Sequence, residues 1–163
     1  MTAFSNVHDV GAFSGATRLL LDSQAGDWNS NGASLDTTPD GPQQLGSGLI
    51  TLEVQTDVAG AETCTVTLVV EDAADDGAGA PALPFAAVPA ADLMTAADGA
   101  DGLPDPLVID AAVSDSGALS FTLPFHRCRR HVRVTTDVVQ SNAARVATVA
   151  LIAVDGGNVL APR

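Results

Sequence analysis

The segment "LITLEVQTDV", residues 49–58, alternates so strictly that few folds can hold it. Ile50, Leu52, Val54, Thr56 and Val58 fall on one side of an extended chain, with Thr51, Glu53, Gln55 and Asp57 on the other. Successive side chains on a strand point to opposite faces, so the pattern describes a strand with one buried and one wet face. A helix would scatter the same residues around its circumference. After Ala59-Gly60 the alternation resumes in "ETCTVTLVVED", where Cys64, Val66, Leu68 and Val70 alternate with Thr63, Thr65 and Thr67. Two half-buried, β-branched strands around a short glycine turn predict an antiparallel hairpin.

The same period governs the second half of the chain. "ALSFTLPF" sets Leu119, Phe121, Leu123 and Phe125 opposite Ser120 and Thr122. "HVRVTTDVV" and "ARVATVALIAVD" supply two more strands, with "SNAA" (141–144) as the turn between them. Val146, Val149, Leu151, Ile152 and Val154 make both faces of the last strand apolar, which predicts a central place in a sheet. Shorter candidates are "RLLLDS" (18–23) and "PLVID" (106–110). With about seven or eight strands and no amphipathic helix beyond a turn at 91–97, the class is all-β, an antiparallel jelly roll or β-sandwich.

A chain of 163 residues fits one domain, here 17–163, with a large enough core to need neither metal nor disulfide. Residues 1–16 carry Phe4, Val7, Val10 and Phe13 without a strand pattern and are expected to form an N-terminal arm that packs on another subunit or frays. Residues 24–47 read as loop by composition. Residues 73–106 form a long insertion rich in Ala, Pro, Gly and Asp. Its Leu83, Phe85, Val88, Leu93 and Met94 are too apolar for a solvated linker, so it is expected to order against a neighbour.

The net charge of −13 comes with seven basic residues, all Arg. Such a body repels nucleic acid and favours a partner with a basic face. Aromatics are 4%, with Trp28 the single tryptophan and no tyrosine, which leaves little for the stacking platforms of sugar and single-strand binders. Cys64 and Cys128 both fall in predicted strands and are expected as buried, reduced thiols. The N-terminus lacks the basic start and continuous apolar run of a signal peptide, and no window approaches the roughly 20 apolar residues of a membrane span. The expectation is a soluble protein made in the cytoplasm, without nucleic-acid or membrane partners.

One stretch stands apart. "FHRCRRHVRV" (125–134) holds Arg127, Arg129, Arg130 and Arg133, two of the three histidines and one cysteine. As a strand it would place Arg127, Arg129, His131 and Arg133 on one face, about 6.6–6.8 Å apart. His126 and Cys128 would then point away from His131, so the three cannot converge on zinc without a bulge. A nucleic-acid stripe would need a second basic element or flanking aromatics. Two readings stay open: the arginines neutralise carboxylates on neighbouring strands, or they meet acidic groups on another subunit or partner.

The aspartates of "EDAADDG" (71–77) and of "DGADGLPDP" (98–106), including Asp98, Asp101 and Asp105, lack EF-hand spacing and read as solvated acidic loops, with calcium the competing reading. No catalytic signature occurs, and "GAFSG" (11–15) is only an echo of a nucleophile elbow. A non-enzymatic protein without cofactor is expected.

The order of these landmarks resembles the capsid cement, or head decoration, proteins of tailed bacteriophages. The features are "RLLLDSQ", then "SGLITLEVQTDVAGAETCTVTLVVEDAAD", then "LSFTLPFHRCRRHVRVTTDV" and a closing "ARVATVALIAVD". In that family a polar-apolar hairpin precedes a proline turn (here Leu123-Pro124), a basic strand (Arg129 to Val134) and an apolar last strand ending in Asp155. The similarity is one of pattern over about 100 of the 163 residues; the 73–106 insertion and the arm depart from the compact form. The resemblance implies a jelly-roll virion protein on the capsid exterior, bound to the major capsid protein as a homo-oligomer, a trimer in that family, and stabilising the shell. Candidate interface residues are Phe4, Val7, Phe13, Phe85, Arg127, Arg129, His131 and Arg133. The alternatives are a carbohydrate-binding module, which would need Trp28 and Phe85 exposed at a concave site, and a calcium-ordered adhesin-like domain.

Overall fold

The alternating segments form strands, and a computed structural model shows how they associate; it describes residues 16–38, 47–89, 93 and 103–155. In chain order the strands are β1 (Ala16–Ala25), β2 (Trp28–Asn31), β3 (Leu35–Asp36), β4 (Gly48–Thr56), β5 (Thr63–Ala73), β6 (Ala86–Ala87), β7 (Leu107–Asp110), β8 (Ser116–Leu123), β9 (His131–Gln140) and β10 (Val146–Asp155). One sheet has the order β1-β10-β4-β8. In the other, β9 and β5 are central, β2 and β3 share the outer edge of β9, and β6 and β7 share the outer edge of β5. Every pairing is antiparallel. Counting β2/β3 and β6/β7 as two interrupted strands gives eight positions in orders 1-8-3-6 and 2-7-4-5, the two interlocked Greek keys of a jelly roll.

Burial follows the alternation. Ile50, Leu52 and Val54 of β4 face Cys64, Val66 and Val70 of β5 across one core, joined by Val132, Val134, Val138, Val149 and Leu151. Each of the valine, leucine and isoleucine side chains contributes about 1.5–3 kcal/mol when fully buried. Leucine, valine and isoleucine do most of the filling, with Phe121 and Phe125 at one end. β10 lies between β1 and β4, as its two apolar faces require.

The expected hairpin between 49–58 and 63–72 does not form. β4 pairs with β10 and β8, whereas β5 pairs with β9, β6 and β7. The intervening residues turn a corner from one sheet to the other, where Thr56 N donates to Asp115 O at 2.8 Å and Asp57 N to Val146 O at 3.2 Å. The 24–47 segment is not all loop, because the long edge of β9 templates β2 and β3 despite their polar composition. In the 73–106 insertion, Ala86–Ala87 pairs with β5, while Val88 and Leu93 enter this chain's own core rather than waiting for a neighbour.

Candidate functional site

The two ends of the sandwich are fastened by polar clusters. At one end Gly26, at φ +72 in the left-handed region that suits glycine, turns β1 into β2 and donates its N–H to Arg145 O at 3.0 Å. Gln140 Nε2 donates to Gly26 O and Arg145 O, and Arg145 Nε meets Glu62 Oε2 at 2.6 Å. Asn142 and Arg145 both donate to Glu62, and in that order they hold its carboxyl down at about 2. Three turns of the jelly roll, β1–β2, β4–β5 and β9–β10, are tied together there.

The opposite end is built by "FHRCRRHVRV". Pro124 ends β8, Phe125–Arg127 form a turn of 3-10 helix, and β9 begins only at His131. The expected continuous strand is therefore interrupted, and Arg127, Arg129, His131 and Arg133 do not form a stripe. A proline cannot donate to the ladder, and the buried ring of Phe125 draws the chain inward beside Gly48. Arg127 is exposed on the turn, its N–H donating to Pro124 O at 3.1 Å. Arg129 lies in the loop and grips Asp72 of β5: its N–H donates to Asp72 Oδ2 at 2.8 Å and its Nε to Oδ1 at 2.7 Å. Arg130 donates through Nε and Nη2 to both carboxylate oxygens of Asp36 (2.9 and 2.8 Å) and through Nη1 to Asp75 at 2.7 Å. Its hydrogen bonds hold the Asp36 carboxyl at about 2. His131 is buried, with Nε2 3.4 Å from Asp75 Oδ2. Arg133 meets Glu71 at 2.7 Å and lies 4.3 Å over the Phe85 ring.

Of the two readings of this stretch, the geometry gives the first: Arg129, Arg130 and Arg133 neutralise carboxylates of their own chain. Of the candidate interface residues, Phe85 and Arg133 come together, and Arg129 and His131 join the neighbouring ion-pair cluster. Phe4, Val7 and Phe13 lie outside the described residues, as do Asp98 and Asp101. Among the described residues no group of three or more His, Cys, Asp or Glu could hold a metal ion. Cys64 and Cys128 are buried free thiols. Burial, reinforced by the charge of Asp72, pushes the Cys128 thiol up to about 12. Trp28 is 7% exposed and Phe85 is half-buried beneath Arg133, so the stacking platform that sugar binding would need is not formed by these rings.

Sequence reasoning passed over a different surface. The outward face of the β1-β10-β4-β8 sheet is read off the pairing register as four rows: Arg18-Ile152-Thr51-Ser120, Leu21-Ala150-Glu53-Ala118, Ser23-Thr148-Gln55-Ser116, and Val154-Leu49-Thr122. In these rows only Arg18 and Glu53 carry charge. Leu21 is 57% and Leu49 45% exposed. The hydroxyls of Ser23 and Thr148, and of Thr51 and Ser120, pair with each other at 2.9 and 3.1 Å. Glu53, Gln55, Ser116, Ala118, Thr148 and Ala150 line an open hollow of about 540 Å³ on the face. The signal was present in the sequence as the polar side of each alternation, where Thr, Ser and Ala stand in place of the acids common elsewhere.

No protein-family model matches the chain, and no curated protein matches its sequence. Among solved structures, the chain is similar to the empty capsid of Triatoma virus, with a TM-score of 0.42 and 13% identity over 93% of both chains. It is also similar to the CBM22-1–GH10 modules of Clostridium thermocellum xylanase 10B complexed with xylohexaose. There the TM-score is 0.34 and the identity 8%, over 90% of this chain and 30% of that one. At such scores neither likeness bears on function, and the jelly roll stands on its strand order.

Proposed function

We propose that this chain is a non-enzymatic structural protein of a bacteriophage virion, binding the outer surface of the assembled shell and stabilising it. The observation that carries the reading is a broad sheet face almost free of charge on a chain of net charge −13. Interface cores are depleted of charged residues because each buried charge must be desolvated. Thr, Ser, Ala and aliphatic side chains avoid that cost. The ion-pair clusters at both ends support the same reading, since they commit the loop arginines to holding the block in shape. The sequence resemblance to cement proteins supplies the identity of the partner, the major capsid protein, and the place on the capsid exterior.

The test is co-sedimentation of the purified protein with mature phage shells, with stoichiometry per capsomer and the melting temperature of the shells as readouts. Saturable binding with a raised shell melting temperature is expected. Absence of binding at protein concentrations of about 10 μM, far above what repeated lattice contacts would need, would overturn the reading.

A further inference from the structure

The unpartnered charges on the otherwise uncharged face indicate what covers it. Arg129, Arg130, Arg133 and Arg145 are all paired with carboxylates of their own chain. Arg18 is exposed and, among the described residues, has no ion-pair partner; the same holds for Glu53. They cannot satisfy each other. Arg18 sits beside Ile152 on edge strand β1, while Glu53 lies two strands across and one two-residue step along, beside Ala150. Two strand spacings and one such step separate them by about 12 Å.

We propose that, away from a shell, this face takes a second copy of the same chain about a two-fold axis, with Arg18 of each copy against Glu53 of the other, so that the second copy and the shell compete for it. A two-fold axis lying in the plane between two facing sheets exchanges positions by reflection across it. The axis that perpendicularly bisects the line from Arg18 to Glu53 therefore places both opposite charges in contact twice, with no charge left over. The same operation carries the exposed Leu21 to the neighbourhood of Ala150 and Thr148, small residues at the margin of the hollow.

Charge selects this occupant. Two copies of net charge −13 repel, and the outward positions of the other sheet include Glu71, Asp110 and Asp137. The face bearing one Arg and one Glu sums to zero, so here a like-charged copy approaches without close repulsion. Four strands about 4.8 Å apart and eight residues of about 3.3 Å give a footprint of about 500 Å² per copy. That is the low end of specific interfaces and fits a reversible dimer in the micromolar range. The symmetry also differs from the trimer of the resembled family.

The experiment needs no shells, so its failure and that of the shell-binding reading are distinguishable. Sedimentation velocity of the full chain is measured over a concentration series for the wild type, Arg18→Glu, Glu53→Arg, and an equimolar mixture of the two variants. Both positions are exposed, and circular dichroism is to be run as the check that each variant folds. The wild type is expected to dimerise and each single variant to weaken the dimer at least tenfold, because each creates two like-charge contacts. The mixture is expected to restore it. In the mixed dimer the introduced glutamate of one variant meets the introduced arginine of the other, and the native pair forms once. A wild type that stays monomeric at about 0.5 mM, or forms trimers, overturns the proposal, and so does a mixture no more associated than its components.

Discussion

Replacing Asp72 tests whether the arginine-rich loop is held by its ion pair or by its backbone. Asp72 is 8% exposed and accepts the Arg129 N–H at 2.8 Å as well as the guanidinium at 2.7 and 2.6 Å. Arg129 in turn donates Nη2 to the Asp72 carbonyl at 2.7 Å. The two kinds of bond differ in value. The Arg129 side chain is 47% exposed, so water and salt screen its pairing, which contributes about 0–1 kcal/mol. The Arg129 amide is partly buried, and stripping its acceptor costs about 1–3 kcal/mol.

Asp72→Ala removes both contributions and is expected to cost about 2–3 kcal/mol. Asp72→Asn keeps a carbonyl oxygen for the amide and is expected to cost about 1 kcal/mol, with Arg129→Ala about the same because Asp72 retains the amide bond. Urea unfolding with an unchanged slope gives the three values directly. Arg129→Ala as damaging as Asp72→Ala would make the guanidinium the anchor and refute this apportionment. All three within about 0.5 kcal/mol of wild type would mean that the cluster does not hold the loop.

Three further outcomes follow from the same structure. The carboxyls of Asp36 and Glu62 are depressed to about 2 from 3.8 and 4.5, so the stability they contribute is fully present above the unfolded values and is lost as pH falls towards the folded ones. Urea midpoints should drop between about pH 4.5 and pH 2, and Asp36→Asn and Glu62→Gln should each flatten that fall. Thr136 is 2% exposed and, among the described residues, its hydroxyl has no hydrogen-bond partner, so Thr136→Val should stabilise the protein by about 1 kcal/mol; a lowered urea midpoint would show the hydroxyl to be satisfied. A Cβ on Gly48 would lie 2.6 Å from the Phe125 ring, which is fully buried, so Gly48→Ala should cost about 1–3 kcal/mol by overpacking. Phe125→Leu in that background should recover part of the loss, and a strictly additive double mutant would place the strain elsewhere.

Which face each long strand buries was legible from sequence, and its neighbour was not. Alternation in 49–58 and 63–72 reports a half-buried strand, and in a sandwich every long strand is half-buried whichever sheet it joins. The turn length at Ala59-Gly60 suits a hairpin and a corner alike. Deciding between them takes the long-range pairing of Leu52 with Leu151 and Leu119, which no local signal carries. β2 and β3 were hidden for a related reason: "WNSN" and "LD" have little strand propensity, and the exposed edge of β9 imposes their extension. The stripe reading of "FHRCRRHVRV" carried a period of two from Phe125 onward, although the preceding Pro124 marks the end of a central strand and the chain turns before β9 starts at His131. The Asp72–Arg129 contact spans 57 positions and had no signature beyond the presence of both charges. That the arginines would meet carboxylates was foreseeable from a chain with twenty acids and seven arginines.

The distribution of charge also orients any contact this block makes. Acidic side chains gather at the two ends: Asp27, Asp57, Glu62, Asp110 and Asp115 around one set of turns, Asp36, Glu71, Asp72, Asp75 and Asp76 around the other. Arginines neutralise only some of them. End-to-end approach of two copies therefore brings like charges together, and within a Debye length of about 8 Å that repulsion is felt. Approach through the β1-β10-β4-β8 face meets no such opposition. An attractive patch alone would permit many orientations, whereas acidic ends around a neutral face exclude most of them. Under the proposed shell-binding reading, the repulsive ends then matter as much as the face they leave open.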